Sequence, residues 1–307
     1  MAAAPGAPDF FTAYEALLAR WPAGTRELDV PTPYGSTRVH AYGPESAPPL
    51  LLLHGGGATG GVWYRNARAL GERYRVLAVD VLGDAGRSVR SGRPLRRTPD
   101  LMGWLDALLD GLELSGAHLL GHSYGGWIAL NYALHAPRRV NRLVLLDPTQ
   151  CFAGYRPAFL LRSLPALLRP STARALALVD HETAETAGTE TAGTETTGTQ
   201  PDPDARRVYA LAAAGFPDRR LVVGRRPDPS RLSVPLLVLL AGRSGVHDVA
   251  KVTARARAAV PDAEIETLPG LAHFSLPTAL PDRAHRRIAD FLGGVRAGDG
   301  DHVPVAE

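Results

Sequence analysis

The chain has 307 residues, 45% of them hydrophobic, enough to bury a sizeable core in one or two domains. A balance of 34 Lys and Arg against 31 Asp and Glu leaves a formal charge of +3, too little to argue for a nucleic-acid-binding face. The single cysteine, Cys151, excludes an internal disulfide, and no apolar run reaches the ~18 residues that a membrane span needs.

In chain order, residues 1–25 read as an N-terminal helical extension. It opens without a basic stretch ahead of an apolar run, so no signal peptide is expected and the expected compartment is the cytoplasm. Its helix spans 11–21 and is closed by Pro22. Two alternating strands follow, RELDVPT and STRVHAYG, joined by a Pro-Tyr-Gly-Ser turn. From Leu50 the signal changes to wholly apolar strands (LLLLH, RVLAVD, AHLLGH, RLVLLD) that alternate with helical segments at 60–70, 98–114 and 124–136. Apolar strands alternating with helices argue for a parallel sheet covered on both faces.

That rhythm breaks over 151–229, a Leu-, Arg- and Pro-rich stretch with helical fragments at 156–168 and 204–215. Within it, ETAGTETAGTETTGT at 185–199 repeats five residues three times and offers no large apolar side chain. It reads as a disordered loop, because nothing in it can offset the entropy of ordering. The rhythm resumes with a strand at 234–240, a helix at 248–259, the strand AEIETL and a last helix at 281–293; residues 294–307 read as a flexible tail.

The chemistry concentrates in three loops. In LLGHSYGGW a strand runs into Ser123, and Tyr124-Gly125-Gly126 opens a helix. This is G-x-S-x-G on a strand–turn–helix, where flanking glycines allow a sharp turn and the helix N-terminus supplies free N–H groups, that of Tyr124 among them. His54-Gly55-Gly56-Gly57 ends an earlier strand. Gly56, with Gly57 next, is the candidate for a second N–H donor to a substrate oxygen. LPGLAHFSL puts His273 in the short loop after the last strand. Each loop has a plainer reading, as a glycine-rich helix start, a tight turn or a core histidine, but together they suit nucleophilic catalysis.

These motifs, with DVLGDAGRS after a strand, resemble the α/β-hydrolase fold superfamily across about residues 26–293, in particular bacterial esterases, proline iminopeptidase-like enzymes and cofactor-free perhydrolases. The resemblance implies an eight-stranded, mostly parallel, doubly wound sheet built from 26–150 and 230–293. It also implies a helical cap inserted after strand six, which the broken rhythm at 151–229 matches. Relatives on this fold that use an Asp nucleophile, the haloalkane dehalogenases and epoxide hydrolases, are disfavoured by Ser123.

One departure stands out. In the superfamily a carboxylate normally follows the strand at 234–240, and the matching position here is Gly245. Asp248 lies in the same loop but is also a good helix N-cap. Asp147 ends the neighbouring strand, and Pro148 biases it toward an extended backbone. Asp147 is the preferred acid, with Asp248 or no acid as the alternatives. The function expected is a serine hydrolase cleaving a small carboxylic ester, thioester or amide, with Ser123, His273 and Asp147 catalytic, Gly56 and Tyr124 holding the oxyanion, and no metal or cofactor. The partner expected is a small-molecule substrate, with no nucleic acid or membrane, and oligomeric state left open. Specificity is expected from Tyr155, Phe159, Leu160 and Leu164 in the cap, and Trp63 and Tyr64 either line the pocket or pack in the core. A receptor-like ligand-binding protein, or a lyase or perhydrolase using the same site, are the alternatives.

Overall fold

The computed structural model describes residues 7–184 and 202–294; the repeat at 185–199 and the tail beyond Gly294 lie outside them. Among the described residues nine strands form one sheet: β1 (Arg26–Thr32), β2 (Gly35–Tyr42), β3 (Pro49–Leu53), β4 (Arg75–Val79), β5 (Val89–Arg90), β6 (Ala117–His122), β7 (Val140–Leu146), β8 (Leu236–Ala241) and β9 (Glu264–Leu268). Eight follow one path, in the order β1-β2-β4-β3-β6-β7-β8-β9. The two-residue β5 is an addition to the expected eight and pairs with the start of β2. Pairing is antiparallel around β2 and parallel from β4 through β9.

The central strands are apolar on both sides because both sides are covered. Leu51 and Leu53 of β3, Leu77 and Val79 of β4, and Val238 and Leu240 of β8 join one core cluster. Their neighbours Leu50, Leu52, Val76, Ala78, Leu237 and Leu239 join the other, as the alternation of side chains along a strand requires. Helices α2 (Tyr64–Leu70), α3 (Thr98–Gly111), α4 (Tyr124–His135), α8 (Val249–Ala259), the short α9 (Leu276–Ala279) and α10 (Asp282–Leu292) complete the wound sheet.

Helix α1 (Ala7–Leu18) starts four residues before the expected helix and stops three before its end. Phe10, Tyr14 and Leu17 recur at helical spacing and are buried. The Tyr14 hydroxyl donates to Asp80 at 2.8 Å, which anchors α1 beside the end of β4.

Among the described residues between β7 and β8 run three α-helices, α5 (Pro157–Leu168), α6 (Thr172–Ala184) and α7 (Pro203–Gly215). Phe10 packs on Phe216 just after α7, with ring centroids 4.6 Å apart, and Arg20 pairs with Asp202 at the α7 N-cap. Among the described residues no helix is long and apolar enough to cross a membrane.

Candidate active site

The carboxyl ends of β3, β6, β7 and β8 point to one edge of the sheet, and the three motif loops meet there. Ser123 sits between β6 and α4 at φ +53°, ψ −114°, a backbone that L-residues rarely hold. The flanking glycines are needed for close approach. A Cβ on Gly125 would lie 2.1 Å from the Leu53 carbonyl oxygen, and one on Gly121 would lie 2.3 Å from that of Gly125. The elbow is therefore held by backbone pressed on backbone.

The Ser123 hydroxyl donates to His273 Nε2 at 2.9 Å, and His273 Nδ1 donates to Asp147 Oδ2 at 2.6 Å. The structure thus brings the three residues singled out in the sequence into one hydrogen-bonded series. Asp248 is not part of it: its side chain accepts from the Lys251 N–H at 2.9 Å and caps α8. Asp147 is wholly buried, and its backbone is not extended, as Pro148 suggested, but left-handed at φ +41°. Burial pushes its carboxyl up, but His247 and His273 outweigh burial and hold it well below the ordinary carboxylate range.

Four donors fill the Asp147 carboxylate. Oδ1 accepts from the Ala241 N–H and from His247 Nε2, both at 3.0 Å, and Oδ2 accepts from Ser244 Oγ at 2.8 Å as well as from His273. At position 245 the space that a side chain would need is taken. A Cβ there would lie 1.9 Å from Glu182 Oε2 of α6, and Glu182 is buried against Arg162 of α5 at 2.8 Å.

The His54–Gly57 turn lies against Ser123. His54 donates through Nδ1 to the Gly55 carbonyl at 2.8 Å and accepts the Val81 N–H at Nε2 at 2.9 Å, which fixes its tautomer. The Gly57 N–H is already given to Asp84 Oδ2 at 2.8 Å, and Asp84 Oδ1 accepts from Arg219 Nε at 2.6 Å. Of the two glycines considered, Gly56 is the one whose N–H no described residue accepts. A Cβ on Gly56 would lie 3.8 Å from that of Tyr124, the first residue of α4, and Gly56 and Ser123 line one cavity.

His122 donates through Nε2 to the His273 carbonyl at 3.0 Å and lies ring to ring with it at 4.8 Å. Burial, with His273 beside it, pulls its pKa down to about 3, so it stays neutral.

A cavity opens on Ser123 and His273, lined by Gly56, Val62, Val179, Ala205, Tyr209 and Phe274 among others. None of the four side chains expected to set specificity lines it. Tyr155 and Phe159 stack on each other at 5.6 Å, and Leu160 and Leu164 are exposed on α5. Trp63 is fully buried in the core, and Tyr64 donates to Asp202 at 3.0 Å. The sequence reading missed Ser244 and His247, although two polar side chains in the short loop GRSGVHD, where a carboxylate was sought, were a usable signal. It also missed Asp84 and Glu182, whose partners are far away along the chain.

Comparison with known proteins agrees with this architecture. A family model described as the alpha/beta hydrolase fold matches residues 48–186. The carboxylesterase YbfK of Bacillus subtilis is 38% identical over 148 residues, covering 48% of this chain and 50% of that protein. The chain thus spans about half the length of that relative at this identity. A second B. subtilis protein, the uncharacterized carboxylesterase nap, is 29% identical over 90% of this chain and 91% of its own. The crystal structure of carboxylesterase CesB (YbfK) superposes with a TM-score of 0.81 at 25% identity, covering 95% of this chain and 100% of that one.

Proposed function

We propose that this chain, a member of the α/β-hydrolase fold superfamily, is a carboxylic ester hydrolase that works through an acyl-enzyme on Ser123. The observation that carries this reading is the series from Ser123 Oγ through His273 to Asp147, at 2.9 and 2.6 Å. His273 Nε2 takes the serine proton as Oγ attacks the ester carbonyl, and then gives it to the departing alcohol. Water repeats the cycle on the acyl-enzyme and releases the acid. Asp147 keeps the His273 proton on Nδ1 and stabilises the imidazolium as it forms. The N–H groups of Gly56 and Tyr124 receive the oxyanion, and Asp84, by taking the Gly57 N–H, fixes the turn that presents Gly56.

Helices α5–α7 serve as a cap whose α6 and α7 roof the cavity through Val179, Ala205 and Tyr209. This lining suits an ester with an uncharged, apolar group on the roofed side. Arg206 also borders the cavity, but its charge is turned to Asp180 in two hydrogen bonds of 2.9 and 2.6 Å. The substrate is a small molecule, no cofactor takes part, and the work is done in the cytoplasm. The non-catalytic alternative rested on the missing carboxylate at 245, and the contact between Asp147 and His273 weighs against it.

A panel of p-nitrophenyl esters of increasing acyl length tests the reading. Purified protein should hydrolyse the uncharged esters, and Ser123→Ala should lose on the order of 10⁶ in kcat, as removal of the nucleophile does in a related triad. Undiminished hydrolysis by Ser123→Ala would overturn it.

A further inference from the structure

We infer that His247 is a positioning residue for this reaction: with Ser244 it turns the loop after β8, which bears no acid at 245, into the clamp that aims Asp147 at His273. The inference rests on the ester hydrolase reading.

Asp147 reaches His273 from the end of β7 and holds a left-handed backbone that a non-glycine residue rarely adopts. A single hydrogen bond to His273 would leave its carboxylate free to turn about the side-chain bonds. Three further donors remove that freedom, and all three come from β8 or the loop after it: the Ala241 N–H, Ser244 Oγ and His247 Nε2. Between the two side-chain donors lies Gly245, whose side-chain space Glu182 fills. This loop therefore supplies hydrogen-bond donors to a carboxylate on the neighbouring strand.

Of the three donors His247 alone can titrate, and it does so out of contact with solvent. Its Nε2 faces Asp147, and its buried Nδ1 has no partner among the described residues. The neutral tautomer with the proton on Nε2 suits this site, since Nδ1 then carries only a lone pair. A second proton would create a buried N–H without an acceptor and would draw the Asp147 charge away from His273.

The charged and titratable groups around it are Asp147, His273 with its ring 6.4 Å away, Asp248 in the same loop and Arg156 before α5. Burial lowers the His247 pKa, but Asp147 outweighs burial and raises it above the ordinary value.

Three variants, with kcat and KM for a p-nitrophenyl ester followed from pH 5 to 9, test this. His247→Ala should lower kcat by about 10-fold to 100-fold with KM little changed, as expected when an aiming contact to the acid is lost. His247→Gln, which can still donate to Asp147, should recover most of kcat at pH 8. On the acid side, the fall of kcat/KM in wild type should carry one more ionisation than in His247→Gln. Ser123→Ala is the control for the underlying reading. If wild type shows hydrolysis that depends on Ser123, yet both His247 variants match it in kcat and in the steepness of the acid limb, the inference is overturned. If His247→Ala does not fold, the pH profile of His247→Gln decides alone.

Discussion

The turn after β6 and the loop after β8 solve opposite problems at the same edge of the sheet. The turn after β6 carries Ser123 on a strained backbone, and its constraints are local: Gly121 and Gly125 are pinned against carbonyls of the same turn and of adjacent β3. The loop after β8 bears no acid on His273. It presents Ser244 and His247 to a carboxylate from β7, while Glu182 from the inserted helices occupies the space above Gly245. The first device is written in the five consecutive residues 121–125, set against the end of β3. The second is assembled from segments about 100 residues apart, such as Asp147 and His247. The carboxylate that meets His273 thus comes from the end of β7, while the loop after β8 supplies it with hydrogen-bond donors.

The sharpest test of this contrast exchanges the two candidate acids. Asp147→Asn keeps the shape but offers an amide to His273 and removes the charge that stabilises the imidazolium. It should cut kcat by about 10⁴, as the equivalent change does in serine proteases. If Asp248→Asn is instead the inactive variant in the same assay, the acid belongs to the loop after β8. A second break strikes the local device. Gly125→Ala drives a Cβ to 2.1 Å from the Leu53 carbonyl, a backbone atom within the sheet that has no room to move. A loss of about 3 kcal/mol or more in a urea titration is expected; unchanged stability would mean that the elbow relaxes freely.

Acid exposure should separate the two regions as well. The Asp147 carboxyl is held below its unfolded value, so the stability it contributes is fully present above about pH 4 and is lost as pH falls through the folded value. His122 beside the elbow adds its own acid sensitivity. Its folded pKa of about 3 lies below the unfolded 6.5, so stability declines as pH falls from 6.5 toward 3. Thermal melts of wild type and His122→Asn between pH 7 and 4 check this: the wild-type midpoint should fall more steeply, and parallel curves would contradict it.

Smaller effects belong to the loop after β8. Gly245→Ala should cost about 1–3 kcal/mol by pressing on Glu182. Combined with Glu182→Ala it should cost less than the sum of the two single changes, since the clash has gone. Strict additivity would mean that the two positions do not meet. The smallest effect is on Asp248→Asn, where asparagine caps α8 about as well and the expected loss is a few tenths of a kcal/mol.

How far each feature could be read in the sequence follows the same division. The parallel core was legible because strands buried on both faces are continuous apolar runs, as at Leu50–Leu53 and Leu236–Ala241. Ser123, His273 and the glycine turn were legible because their motifs are contiguous and flank those runs. Helix α6 was not named, because its buried stripe of Ala175, Leu178, Val179 and Glu182 includes a small residue and a charge. Which carboxylate meets His273 was less legible: it depends on β7 and β8 pairing in register from Leu143↔Leu236 to Leu146↔Leu239, which brings Asp147 at the end of β7 beside the loop after β8. Of the side chains expected to set specificity, Phe159, Leu160 and Leu164 lie on α5 and Tyr155 just before it, whereas the cavity is lined by Val179 of α6 and by Ala205 and Tyr209 of α7.

The central claim is that Ser123 is an activated nucleophile. Incubation with a fluorophosphonate, followed by peptide mass spectrometry, tests it without knowledge of the natural ester. One adduct per chain is expected on the peptide that contains Ser123, absent from Ser123→Ala and strongly slowed in Asp147→Asn. An adduct on a different residue, or undisturbed ester hydrolysis in protein that takes up no label, would contradict it.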